Sequence, residues 1–192
     1  MSEKSLQQII DRSEPDGLGN TKPLQISNGT FSTEIIGEVY LGWSCFKNSN
    51  FIDLNFITTR FESSRFQDCE FQNCTFEKTV LQNAIFQNCT LINCKMKDND
   101  LSRADFTGII FNNCLFERIK QGSLVKCWFE SCEFLNTSFN IPTTNAITTI
   151  EAVVADSKFS NSEFDQSIEF KGEFFLIHII YSKSGINGMF SG

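Results

Sequence analysis

From Phe31 onward an apolar residue stands at every fifth position. The series runs Phe31, Ile36, Leu41, Phe46, Phe51, Phe56, Phe61, Phe66, Phe71, Phe76, Leu81, Phe86, Leu91, Met96, Leu101, Phe106, Phe111 and Phe116. All eighteen are apolar and twelve are phenylalanine; at 41% apolar content such a run arises by chance about once in ten million, so it is a true repeat. Five is the period of neither a helix nor a strand. The phase then slips by three and resumes at Leu124, Phe129, Phe134 and Phe139. It fades through IPTTNAITTI and returns at Val154, Phe159 and Phe164.

Two positions before each central residue the side chain is usually small, as at Ser44, Ser64, Cys69, Cys74, Ala84, Cys94, Ala104 and Thr137. Seven of the eight cysteines fall at this position, and only Cys45 does not. The pattern predicts a coil whose wall turns a corner after every few residues. Each short side sends one large and one small side chain inward. A five-residue unit cannot bury its phenylalanine alone, so the units must wind and stack. Four units per turn would align Leu41, Leu81, Leu101 and Leu124 in one column and Phe46, Phe66, Phe86 and Phe106 in another. The same 20-residue turn sets Cys69 on Cys89, Cys74 on Cys94 on Cys114, and Asn73, Asn93 and Asn113 into an amide ladder.

The segment Asp100-Leu101-Ser102-Arg103-Ala104-Asp105-Phe106 resembles the unit of the pentapeptide repeat proteins, roughly Ala-(Asp/Asn)-Leu-x-x. The resemblance covers about Phe31–Phe164, with phenylalanine and cysteine favoured over leucine and alanine. It implies an all-β fold, a right-handed, four-sided β-helix with four pentapeptides per coil. About 25 units then give some six coils and a rod ~30 Å long. Both ends would expose unpaired backbone and apolar core, and both need covering. Residues 1–23 are expected to form an N-terminal cap or a flexible segment, with a short helix whose apolar face is Leu6, Ile9 and Ile10. Residues 24–168 form the coil, and 169–192 close its far end or join two chains.

Composition narrows the function. There are 21 Phe against two Tyr and two Trp, which suits a dry interior, because a buried Tyr or Trp needs a polar partner. A net charge of −7 argues against nucleic acid as a partner. The N-terminal residues carry no apolar signal region, and the longest apolar run, Phe174–Tyr181, is too short to span a bilayer. The expectation is a cytoplasmic protein without membrane contact, its thiols reduced. The four Asn-x-Ser/Thr triplets are then chance. The one histidine, His178, sits in an apolar run with no catalytic constellation around it. The C-x₄-C spacings place thiols in columns, which does not build the tetrahedron zinc needs. No enzyme, cofactor or metal is expected.

The expected function is therefore a protein-binding scaffold on a rigid rod, its partner not named by the sequence. Two interruptions are candidate contact loops. One is Glu117–Ser123, with Glu117, Arg118, Lys120 and Gln121. The other is Asn140–Ala152, some ten residues longer than a unit needs, with Asn140, Pro142, Thr144, Asn145 and Ile147. The alternative, implied by the resemblance, is a DNA gyrase or topoisomerase binder, of the quinolone-resistance or toxin-immunity kind, that imitates duplex DNA. Its weakness is charge placement: residues 41–139 hold eleven Asp/Glu and ten Lys/Arg, while 1–40 and 140–192 each hold six acids and three bases. A structural rod without a specific partner is a third reading. In Phe174–Tyr181, residues Phe175, Ile177, Ile179 and Tyr181 would cover the last coil and leave Leu176, His178 and Ile180 outside. Either a homodimer closes that patch, with Leu176, His178 and Ile180 at the contact, or the tail Ser182–Gly192 folds over it.

Overall fold

In the computed structural model each pentad becomes one side of a four-sided coil. The structure describes residues 5–13, 21–118 and 128–138 in full, and the backbone of 139–140, 148–150, 153–155, 158–160, 163–164, 168–170 and 178–180. Three-residue strands are centred on the apolar series: Gln25–Ser27, Thr30–Ser32, Ile35–Gly37, then Cys45–Lys47 one turn later. They stack in parallel. Side 1 has seven strands, from Gln25–Ser27 to Val153–Ala155; side 2 has eight, from Thr30–Ser32 to His178–Ile180; side 3 has seven, from Ile35–Gly37 to Glu163–Phe164. Side 4 is held by single bridges, Tyr40 to Arg60, Arg60 to Val80 and Val80 to Asp100. Farther along it carries the strand pair Thr148–Ile150 and Ile168–Phe170. The chain is thus a nearly all-β solenoid of stacked parallel strands.

The expected 20-residue step is the register: Phe46 pairs with Phe66, Phe66 with Phe86, and Phe86 with Phe106. Backbone groups are satisfied by the coils above and below. Asn73 N donates to Ile92 O and Thr75 N to Leu54 O, both at 2.9 Å. Inside, the phenylalanines form vertical stacks, with ring centroids 4.6 Å apart for Phe51–Phe71 and for Phe66–Phe86. The small inward position has a second requirement beyond size. Ser64 Oγ donates to Leu41 O (2.7 Å), Thr59 Oγ1 to Ile36 O (2.9 Å) and Cys74 Sγ to Phe51 O (3.2 Å). A small side chain with one donor fits there, which is why Ser, Thr and Cys alternate with Ala.

The corners have their own chemistry. The residue two after each centre takes a left-handed backbone, from φ 48° at Asn48 to φ 66° at Gly108. Asn, Asp and Gly fill twelve of these twenty-one corners, as their tolerance of this region predicts. At the corner after side 4 the turn is hydrogen-bonded, Ala84 N to Leu81 O at 2.9 Å and Ala104 N to Leu101 O at 3.0 Å. With positive φ at Asn83 and Arg103, these are type II turns. The asparagine column is a hydrogen-bonded ladder that ends on a carboxylate. Asn113 Nδ2 donates to Asn93 Oδ1 (2.8 Å), Asn93 to Asn73 (3.0 Å) and Asn73 to Asp53 Oδ1 (2.9 Å).

The first interruption shifts the register to 23 residues, Phe106 against Phe129, as the three-residue slip requires. At the second, Trp128 pairs with Val153, 25 residues on, so the excess over a regular turn is five residues rather than the ten expected. The reason is that Thr148–Ile150 forms a strand of side 4 instead of belonging to a loop. Near the start, helix α1 (Leu6–Arg12) buries Leu6 and Ile10 in the same apolar cluster as Leu24, Phe31 and Ile36. Glu34, at a small inward position of the first turn, binds its free N-terminus. The carboxylate accepts from Ser5 Oγ, Leu6 N and Gln7 N, each at 2.9 Å.

Candidate partner-binding surfaces

Since the interior is common to all sides, chemistry that differs must lie in what each side turns outward. Side 3 and its far corner form a checkerboard of charge. Lys97 Nζ donates to Glu77 Oε1 (2.6 Å), Arg118 Nη2 to Asp98 Oδ2 (2.5 Å), and Lys95 pairs with Glu117. The bond from Lys97 holds the Glu77 carboxyl below its ordinary range, and that from Lys95 does the same for Glu117. Asp98 raises Arg118 in turn. Glu117 and Arg118, expected to grip a partner, are thus tied into pairs within the coil. Lys120, Gln121, Pro142, Thr144, Asn145 and Ile147 lie outside the described residues, and of Asn140 the backbone alone is described.

Side 2 and its two flanking corners are different: from Asn28 to Asn136 they carry no lysine, arginine or histidine. Their charges are Asp53, Asp68, Glu70 and Glu133. The rest is Asn, Gln, Ser and Thr, with half-buried Ile52, Ile92 and Leu135 in one outward column and exposed Ile110 in the other.

The third distinct surface is the N-terminal end of sides 3 and 4. Trp43 is 64% exposed, Ile35 67% and Ile57 37%. Trp43 occupies a left-handed corner (φ 62°), an unfavourable backbone for a bulky side chain. Tyr40, in the same turn, lies over Gly42: a Cβ there would stand 2.3 Å from the Tyr40 hydroxyl oxygen, so a larger residue would require the Tyr40 side chain to move. Arg60 stacks on the ring, 5.6 Å from its centroid, and pairs with Glu62 at 2.5 Å. Sequence reasoning passed over Trp43. The available signal was a tryptophan at the position where the repeat prefers Asn or Asp.

The cysteines behave as packing residues. Cys69, Cys74, Cys89, Cys94, Cys114 and Cys132 are buried, Cys45 is half-buried, and all seven are free thiols; Cys127 lies outside the described residues. Hydrogen bonds to Cys114 and Cys74, then burial, push Cys94 upward, and Cys69 does the same to Cys89. These thiols stay protonated. Among the described residues no group of three or more His, Cys, Asp or Glu could hold a metal ion, and no helix is long and apolar enough to cross a membrane. At the far end, Ile179 takes the central register position opposite Phe159, with His178 and Ile180 at the flanking ones; Leu176 lies outside the described residues.

Comparison with known proteins agrees with the coil. A family model for a pentapeptide repeat region matches residues 64–121, and one for eight copies of the pentapeptide repeat matches 44–83. Residues 44–121 thus carry the pentapeptide repeat. No protein of curated function matches the sequence. Among solved structures it is similar to full-length QnrB1, a plasmid-mediated fluoroquinolone resistance protein, with a TM-score of 0.54 and 15% identity over 81% of this chain and 84% of that one. A trypsin-treated variant of QnrB1 gives 0.51, also at 15% identity, over 77% of this chain and 82% of that one. Rfr23 from the cyanobacterium Cyanothece 51142 gives 0.46 at 13% identity over 61% and 84%. At these identities the likeness is one of fold.

Proposed function

We propose that this protein is a non-enzymatic, protein-binding scaffold, and that the corner bearing Trp43 is the centre of a contact surface. The observation that carries this reading is Trp43 itself. A left-handed backbone and an open indole each cost free energy, and Trp43 stands 64% exposed. Tryptophan beside tyrosine and arginine is the composition of interface hot spots. Here the Arg60–Tyr40 stack lies on side 4, whose far corner carries Trp43, and exposed Ile35 and Ile57 lie on the preceding side 3.

The alternative, a topoisomerase binder that imitates DNA, draws support from the fold of QnrB1. The charge distribution weighs against it. Duplex DNA carries one charge per ~1.7 Å, so the ~24 Å from Thr30 to Glu133 on side 2 would need about fourteen. That side has four, and side 3 is neutralised by its own cations.

Trp43→Asn tests the proposal. Asparagine suits the left-handed corner, so the variant's melting temperature should equal or exceed that of the wild type. A photo-crosslinker at Ser63, stacked beside Trp43 one coil on, should capture a protein partner in the wild type and lose it in the variant. Equal capture by both places the contact elsewhere. A homodimer through the C-terminal segment belongs to the same proposal. Light scattering should give twice the 21.8 kDa chain mass, halved by Ile180→Glu; a mass of 21.8 kDa throughout the micromolar range rules the dimer out.

A further inference from the structure

We propose that the edge where side 4 turns into side 1 is a docking strip, and that its occupant is a proline-rich segment of another protein in the polyproline II conformation, with acidic residues among the prolines. The inference deepens the Trp43 reading and rests on it. It starts from where the chain puts its aromatic residues. Every phenylalanine whose side chain is described is buried, whereas both tryptophans of the sequence are exposed, Trp128 at 41%. Both stand at the same edge of the coil. Trp43 is the corner residue that leads into the strand Cys45–Lys47, and Trp128 opens the strand Trp128–Glu130, four strands farther in the same sheet. The register column runs Cys45, Arg65, Ile85, Asp105, Trp128. Trp128 Nε1 donates to Glu130 Oε2 (3.1 Å), which restrains its ring.

Spacing and backbone chemistry select the occupant. Four strand steps, with an offset of two residues across the edge, set the two indoles about 20 Å apart. A strand-like occupant finds nothing to pair with, because the coils above and below already bind the backbone: Arg65 N donates to Ser44 O and Ile85 N to Ser64 O, both at 2.8 Å. An α-helix covers the distance in about thirteen residues and arrives more than half a turn off its starting face. Polyproline II returns the same face every three residues, so six residues, ~19 Å, bring two prolines onto the two rings. It needs no backbone partner and is ordered before it binds, and aromatic surfaces are where such segments dock. Charge supplies the acidic residues. Lys47 and Arg65 are exposed beside the strip, and from Trp43 to Gln87 its corner and outward positions hold no acid. The acids around it are engaged within the chain: Glu62 by Arg60, Asp68 by the Asn88 amide and Asp105 by the Thr107 hydroxyl. A carboxylate between the prolines complements the two cations.

The test uses the full chain and a short labelled peptide of Pro-Pro-Glu repeats, with binding read by fluorescence anisotropy and by the emission of the two tryptophans. The wild type should bind, and its emission should move to shorter wavelength as water leaves the indoles. Trp43→Asn and Trp128→Thr should each weaken binding about tenfold or more. Melting temperatures check the fold, and should Trp128→Thr melt early, Trp128→Gln should weaken binding in the same direction. Arg65→Glu should weaken binding of the Pro-Pro-Glu peptide and strengthen that of a Pro-Pro-Lys one. Wild-type affinity in Trp128→Thr would overturn the proposal. Equal binding of a Gly-Gly-Glu peptide would also overturn it, by showing attraction to charge alone, as would binding of a cello-oligosaccharide in place of the peptide. If the crosslinker at Ser63 captures a partner through Trp43 while no Pro-Pro-Glu peptide binds, the contact surface stands and this occupant is wrong.

Discussion

Sides 2 and 3 of the coil are built on the same strands, the same twenty-residue step and the same inward phenylalanines, yet they face solvent as opposites. Side 3 interlocks Glu77, Lys97 and Glu117 with Lys78, Asp98 and Arg118, so that charges alternate along the rod and across the corner. Between Asn28 and Asn136, side 2 and its corners have four acids, no cation and an amide ladder, and the next strand of that side brings Lys158 into register with Glu133. The difference teaches that the repeat constrains only what points inward and what turns the corner. The remaining positions are free to pair with each other, as on side 3, or to stay largely uncharged, as on side 2 between Asn28 and Asn136. The fold is common to many proteins; the chemistry lies in the outward columns.

The largest effects should be those that ignore this difference. Phe71 on side 2 and Phe76 on side 3 are both fully buried, stacked on Phe51 (4.6 Å) and Phe56 (5.0 Å). Replacing either by alanine should cost ~3–5 kcal/mol, as should Phe86→Ala on side 1. Reversible urea melts would measure it, and a cost below about 1 kcal/mol on one side only would mean the sides do not share one interior.

A smaller effect should separate the corners. Asn93→Ala removes both ladder bonds and puts alanine at φ 53°, an expected loss of about 1–2 kcal/mol. Asn93→Gly keeps the backbone relaxed and should lose less. If the two variants melt alike, the left-handed corner is not what favours asparagine.

The smallest effect distinguishes the two sides by pH and salt. Glu77 and Glu117 are depressed below the ordinary carboxyl value of 4.5 by the bonds from Lys97 and Lys95. A depressed carboxyl stabilises the folded state above its unfolded pKa, and that contribution disappears as the pH falls from about 4.5 through the lower folded value. Glu77→Gln/Glu117→Gln should therefore melt below the wild type at neutral pH and low salt, and the gap should close in acid and in molar salt. Glu70→Gln on side 2 should show no such gap. A persistent gap at low pH would mean the checkerboard is not electrostatic.

Much of the coil was legible from residue spacing. The inward series, the small partner position, the Phe46–Phe66–Phe86–Phe106 column and the asparagine ladder all follow from a period of five wound four to a turn. The surfaces were less legible. Glu117 and Arg118 read as loop residues because they border an interruption, whereas their ion partners Lys95 and Asp98 lie about one turn back. Trp43 reads as an ordinary aromatic until its corner is known to be left-handed.

The sequence by itself determined that the chain coils, and which residues line the inside, because burial imposes the same demand on every unit and so leaves a period. Only the tertiary structure decided which outward residues are neighbours. Winding brings together residues 19 to 23 apart that share no local pattern: Lys97 with Glu77, Asn113 with Asn93, and Glu34 with the start of α1 from a different element altogether. Solvent-facing positions carry no repeated burial requirement, so nothing in their spacing marks the cation-free stretch of side 2 between Asn28 and Asn136, or the exposure of Trp43, until the coil is closed.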